Sequence, residues 1–285
     1  MNIQSECIPC TINSYLRLVK TGVIPESQQE ALLRRLLKDL ATIDYDQSPP
    51  MLGRRMHRMI RDFLQNPDPY QQIKEKYNHM MLGLYPKFEG LVNDSEDPFN
   101  AAMRLAIAGN VIDFGAQKQM DVMDMINKAM GVKLAIDDSL HLRHDLKHAD
   151  TLLYIGDNCG EIVMDKLFLT YMNVPEKYFA VRDRPVINDV TLEDANMTGM
   201  EEVAKVITTG DDAPGAVWDS VSEEFRNIFR TADIVISKGQ GNLEGLIDVP
   251  HKSIYFLLIT KCDLIASRVG AKTEEYVIKK GTIIK

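Results

Sequence analysis

The sequence predicts an α/β protein: a Rossmann-like, three-layer arrangement around a largely parallel sheet, preceded by an N-terminal helical bundle. Three observations carry this expectation. Periodicity is helical almost throughout from Cys7 to about Gly131. From about Val132 the rhythm changes to strand, loop, helix, and five short apolar runs rich in β-formers recur with helical stretches between them. The two parts are expected at residues 1–131 and 132–285, as subdomains of one continuous domain.

In the first part, Ile12, Tyr15, Leu16 and Val19 share one helical face. Ser27 with Glu30 reads as a capping box ahead of Leu33, Leu36, Leu37, Leu40 and Ile43. Pro49-Pro50 separates that helix from a basic one, with Leu52, Met56, Met59, Ile60 and Phe63 on one side. Arg54, Arg55, Arg58 and Arg61 surround the rest and are expected to form a solvated face. After Asn66-Pro67-Asp68-Pro69 comes a helix bearing Ile73, Tyr77, Met80, Met81 and Leu84, and Asp94–Pro98 opens another that runs to about Ile112. Its end, AIAGNVIDFG, is interrupted by Gly109, Asn110, Asp113 and Gly115, although each glycine inside a helix costs about 1 kcal/mol against alanine. Either this is a C-cap and turn, or Asn110 and Asp113 reach into a site formed elsewhere.

In the second part the strands are expected at Thr151–Ile155, Tyr178–Val181, Ala204–Thr208, Asp233–Ser237 and Ser253–Ile259. Helices are expected near Gly160–Met172, Val190–Met197, Trp218–Arg230 and Leu243–Ile247. Parallel strands put the residues that follow them on one edge: Asp157-Asn158, Arg182-Asp183, Gly210-Asp211-Asp212, Lys238-Gly239 and Lys261. The turn after the first strand carries Asp157, Asn158 and Glu161 at the start of a helix, where ligands of open α/β sheets bind. Oxygen ligands of this kind suit a hard divalent cation; a plain Asx turn capping the helix is the alternative. Asp189 begins the next helix, as its N-cap or as a second acidic ligand sharing the ion with Asp157. Carboxylates and lysines on one rim suit a metal ion beside an anionic phosphoryl group.

A formal charge of −8 argues against nucleic-acid and anionic-membrane partners, but not against a small phosphorylated ligand met by a few lysines. No run of 18 apolar residues occurs, and the polar, cysteine-bearing start is unlike a signal peptide, so a cytoplasmic protein is expected. Four cysteines make no disulfide framework. Cys7 and Cys10 form a single C-x-x-C, which completes a zinc site only if Cys159 and Cys262 join it by the N-terminus folding over the rim. A thiol-based metal-binding or redox protein is therefore a rival reading. Gly239-Gln240-Gly241-Asn242-Leu243-Glu244-Gly245 resembles a loosened dinucleotide fingerprint, the mark of a nucleotide-dependent oxidoreductase, but it follows a late strand and Lys238 precedes it. His141, His144 and His148 sit on a polar helix, and no G-x-S-x-G occurs.

Taken in order, GNVIDFG, GDNCGEIVMDK, VRDRPVINDVTLEDA, SKGQGNLEGL and TKCDLIA, with the N-terminal C-x-x-C, resemble the damage-control phosphatase family, formerly a domain of unknown function, in its stand-alone prokaryotic branch. The resemblance covers nearly the whole chain. It implies a metal-dependent phosphatase of small phosphorylated metabolites, such as damaged or surplus sugar phosphates. Asp157, Asn158 and Asp189 would hold a divalent cation (Mg, Mn, Co or Ni), and Lys238 and Lys261 would contact the phosphate. Asn110, Asp113 and Asn242 would line the substrate pocket. Asp157 and Glu161 are the candidates for direct attack or for activating water, a choice the residue types leave open, as they do the oligomeric state.

Overall fold

The computed structural model describes residues 1–111, 119–251 and 253–281; Asp113 lies outside them. Six helices come first: α1 (Cys7–Lys20), α2 (Glu26–Leu40), α3 (Pro49–Leu64), α4 (Gln71–Asn93), α5 (Pro98–Ala108) and α6 (Gln119–Met130). Then follow β1 (Ile136–Asp137), α7 (Ser139–Leu146), β2 (Thr151–Ile155), α8 (Glu161–Thr170), β3 (Glu176–Val181) and α9 (Leu192–Thr198). The chain continues through β4 (Lys205–Thr208), α10 (Glu223–Thr231), β5 (Ile234–Lys238), α11 (Gly239–Leu246), β6 (Ile254–Ile259), α12 (Asp263–Val269) and β7 (Tyr276–Lys280).

The strands form one sheet in the order β1-β7-β6-β5-β2-β3-β4, parallel except where β7 runs antiparallel to β6. The expected α/β class and mostly parallel sheet are present; β1, β7 and α12 were not foreseen. Alternation within the strands explains the three layers. Leu152, Tyr154, Ile234, Ile236, Tyr255 and Leu257 face one core, shared with α4, α5 and α8, whereas Leu153, Ile155, Val235, Phe256 and Leu258 face another, shared with α10, α11 and α12. Helices α1, α2 and α3 have a third cluster around Tyr15, Leu32, Leu36, Leu52 and Ile60.

β2 pairs with β3 on one side and β5 on the other, so the chain leaves β2 in one direction and later returns to its opposite flank. This reversal opens a crevice at the carboxyl ends of β2 and β5, the position where open α/β sheets bind ligands.

Two local expectations are corrected. The capping box at Ser27 and Glu30 is absent: α2 begins at Glu26 after Pro25, with no side-chain cap, and Glu26 places a charge in the first turn instead. The arginines of α3 are not simply solvated. Arg54 Nη1 lies 2.6 Å from Asp211 Oδ1, Arg58 Nε lies 2.9 Å from Asp212 Oδ1, and Arg61 donates to Asp212 and to the Pro185 carbonyl. These bonds fasten α3 to the loops after β3 and β4. They use Asp211 and Asp212, which the rim was expected to offer to a ligand.

His57 on α3 is 3 % exposed, and burial with the Arg61 charge beside it holds its pKa down to about 3. A histidine depressed in the folded state stabilises the fold fully above its ordinary value near 6.5, and this contribution drains as pH falls below it. Urea unfolding at pH 5.5 is therefore expected to show about 1.4 kcal/mol less stability from this residue than at neutral pH. His57→Gln should flatten that loss; an equal pH slope in the variant would assign the dependence to other groups.

Candidate active site

The turn after β2 is fixed by the segment that precedes α9. Asn158 and Asp189 form an isolated antiparallel bridge; Cys159 N donates to Asn188 O at 2.8 Å, and Val190 N donates to Asp157 O at 3.0 Å. Asp157, Asn158 and Asp189, 32 positions apart at the extremes, thereby become neighbours at adjacent strand ends. Asp189 is not the cap of α9, because Thr191 is, closing a capping box with Asp194. Nor do Asp157 and Asn158 cap α8: the Gly160 N–H is taken by Asn78 Oδ1 from α4 at 2.7 Å.

The Asp157 and Glu161 carboxylates are buried and share two amides. Asn110 Nδ2 lies 2.9 Å from Asp157 Oδ2 and 3.1 Å from Glu161 Oε2; Asn158 Nδ2 lies 2.8 and 3.0 Å from the same two oxygens. The break in AIAGNVIDFG thus does bring Asn110 to the strand ends. Gly109 and Gly239 allow the approach. A Cβ on Gly109 would meet Met164 Cε and Glu161 Cγ, and one on Gly239, whose φ is +76°, would collide with the Asp157 carboxylate.

Lys238, expected at the phosphate, lies deeper. It is fully buried, and its ammonium donates to Ala106 O at 2.9 Å, to Asp165 Oδ1 at 2.6 Å and to Glu161 Oε1. All three protons are used, so the side chain neutralises two buried acids of α8 and has none left for a ligand. Asn242 likewise is fully engaged. Its Nδ2 donates to Gly156 O and Lys238 O, and its Oδ1 accepts from Ala216 N and Arg182 Nη2. It positions the β2 and β5 ends rather than lining an open pocket. Lys261 is exposed, its ammonium makes no hydrogen bond or ion pair among the described residues, and its charge acts on both Asp157 and Asp189.

Asp165 and Tyr154 belong to the constellation and were not singled out from the sequence; Arg182 was read there only as a residue of the rim. Arg182 is 0 % exposed; its Nε lies 2.7 Å from Asp189 Oδ2, its Nη2 reaches Gly156 O, and its Nη1 is buried without a partner. Tyr154 OH donates to Asp165 Oδ1 at 2.6 Å. The available signal was the i, i+4 spacing of Glu161 and Asp165 among the buried apolar residues of α8, where two acids on one face call for a cation.

The donors are of the type a hard divalent cation takes: three carboxylates and two amides. Asn110 Oδ1 is buried with no hydrogen-bond partner. Burial pushes Asp189 up to about 7 against the pull of Arg182, and burial together with the Glu161 charge raises Asp157. Such a cluster disfavours its own negative charge, which a bound cation would offset. Among the described residues no three His, Cys, Asp or Glu side chains are already grouped closely enough to hold an ion. The residues fit a divalent metal by type, with the two amides now standing between the carboxylates.

Comparisons with known proteins give the family. Residues 3–277 match the family model described as the damage-control phosphatase ARMT1-like domain. The chain belongs to the damage-control phosphatase family. An uncharacterised protein of Methanocaldococcus jannaschii is 34% identical, covering 98% of this chain and 96% of that one. A damage-control phosphatase of Pyrococcus horikoshii is 33% identical over 100% of this chain and 97% of its own. The crystal structure of a DUF89 family protein from Pyrococcus horikoshii superposes with a TM-score of 0.91 at 32% identity, covering 99% of this chain and 100% of that one. Membership supports a phosphatase, a hydrolase, as the enzyme class. The glycines of the GQGNLEG stretch have another use in this family member: a Cβ on Gly241 would meet the Pro214 carbonyl, and one on Gly245 the Ala216 carbonyl, so they let the 213–217 loop lie against α11.

The cysteines are all free. Cys7 and Cys10 lie within electrostatic reach of Cys262 and Glu244, and burial pushes both thiols up; Cys159 is buried beside Asp194 and Lys74. Among the described residues no helix is long and apolar enough to cross a membrane.

Proposed function

We propose that the chain is a metal-dependent phosphatase of small phosphorylated metabolites, sugar phosphates or damaged and surplus phosphometabolites, with Asp157, Asn158 and Asp189 holding the divalent cation. The observation that carries the reading is the pair of buried carboxylates, Asp157 and Glu161, bridged by two amides at the crevice between β2 and β5. A half-turn of the Asn158 amide would replace its NH2 with an oxygen donor. When bound, the cation, one of Mg, Mn, Co or Ni, supplies Lewis-acid polarisation of the phosphoryl oxygens.

The chain's own residues do the rest. Lys261, exposed and uncommitted at the rim, holds the phosphate and the charge that develops on it. Asp157 either attacks phosphorus or takes a proton from the attacking water, with Gly239 leaving its carboxylate uncovered by a side chain. Lys238 pairs with Glu161 and Asp165 and holds them in place, while Arg182 orients Asp189. Asn110 and Asp113 border the substrate; Asp113 is assigned on the resemblance of its motif alone.

Turnover of an aryl phosphate and a panel of sugar phosphates and nucleotides, after chelation and then with single divalent metals restored, tests this reading. Hydrolysis is expected only with metal. Nicotinamide binding without hydrolysis would favour the oxidoreductase rival.

The thiols stand outside the chemistry in this scheme. Replacing Cys7 and Cys10 together with serine should leave turnover within about tenfold of the parent, or ~1.4 kcal/mol in the barrier. Abolished turnover in a folded double variant would move them into the reaction.

A further inference from the structure

Away from the crevice, α2 and α3 enclose a groove of about 610 Å³, within the size range of small-ligand sites. Five cations line it: Arg35, Lys38, Arg54, Arg55 and Arg58. The acidic residues of the lining are Asp39 and Asp62, and Asp211 and Asp212 pair with Arg54 and Arg58 from outside it, in a chain whose formal charge is −8. Arg35 and Lys38 are exposed and make no ion pair or hydrogen bond among the described residues. The other three are only partly used. Arg54 gives Nη1 to Asp211, Arg55 gives Nε and Nη2 to Asp39, and Arg58 gives Nε and Nη2 to Asp212. Guanidinium N–H groups are thus left over on every one.

Like charges gathered on two facing helices destabilise the fold unless something neutralises them. The Asp211, Asp212 and Asp39 pairs answer for Arg54, Arg58 and Arg55 and leave Arg35 and Lys38 of α2 unpaired among the described residues. We propose that this groove binds a multiply charged anion of the polyphosphate class, at a site separate from Asp157 and Asp189. A single phosphate would occupy one or two of the five cations, whereas a chain of phosphates spans both helices and meets the arginine forks in sequence. Long nucleic acids are disfavoured by the chain's formal charge of −8. Met51 and Met59 in the lining are apolar and offer no competing charge. Because Arg54 and Arg58 also hold Asp211 and Asp212, an occupant pulls on the guanidinium groups that fasten α3 to the loop packed on α11.

Calorimetric titration of the full chain with inorganic tripolyphosphate, with chelator present, tests the site. Binding is expected in the parent chain and in Lys261→Ala, and should weaken by roughly tenfold or more in the Arg35→Ala/Lys38→Ala double variant, the loss of a charge-assisted contact or two. Neither substituted residue has a structural partner, so the double variant should keep the parent's circular dichroism. Equal affinity in the double variant, loss of binding in Lys261→Ala, or no binding to the parent at millimolar tripolyphosphate would each overturn the proposal.

Discussion

Replacing Lys238 with alanine is expected to lower the stability of the fold by about 3–5 kcal/mol, the usual consequence of leaving a buried charge without its partner. The ammonium is fully buried and its three protons all go to the protein. Its removal strands Glu161 and Asp165 in the sheet's core, where Asp165 Oδ2 already lacks a partner and burial pushes the carboxyl up to about 7. An acid raised in the folded state stabilises the fold below its ordinary value and withdraws that contribution as pH climbs through the raised one. Without Lys238, which pulls Asp165 downward, the rise is larger, so the deficit should grow between pH 6 and pH 8. Urea unfolding across that range reads both effects. A variant as stable as the parent, defective in turnover alone, would return Lys238 to the substrate.

Lys261→Ala should behave in the opposite way, unfolding like the parent while losing about 10²–10³ in turnover, the typical loss of one preorganised charge contact. The side chain is exposed and carries no protein partner that its loss would strand. Its charge acts on Asp157 and Asp189, which places it at the edge where a phosphate would sit. Added metal should not restore the rate, because the carboxylate ligands are untouched. Turnover within tenfold of the parent, or recovery with metal, would remove Lys261 from the phosphate.

The sheet was legible because its central strands are short apolar runs closed by glycine or polar residues: Thr151–Ile155 was placed to the residue. The site was legible where chemistry stands beside a strand end, as with Asp157, Asn158 and Asp189. Depth was not. Lys238 and Lys261 look alike in sequence, each ending a strand, yet one is the last residue of a fully buried strand and the other lies just beyond its own. Long-range pairing was hidden too. Nothing local ties Arg54, Arg58 and Arg61 to Asp211 and Asp212, some 150 positions later, and the antiparallel β7 returns to β6 only through contacts that pattern reading does not reach.

Turnover against divalent-metal concentration, measured for the parent chain and for Asp189→Asn, is the most direct measurement. Asparagine keeps an oxygen for the Arg182 Nε that the carboxylate now accepts from, so the buried guanidinium is not left bare. It removes the charge that would bind metal. The parent should be inactive after exhaustive chelation and recover on titration, and Asp189→Asn should need at least about tenfold more metal to reach half its maximal rate. Full activity of the chelated parent, or superimposable metal curves for the two chains, would contradict a phosphatase whose cation is held by Asp189.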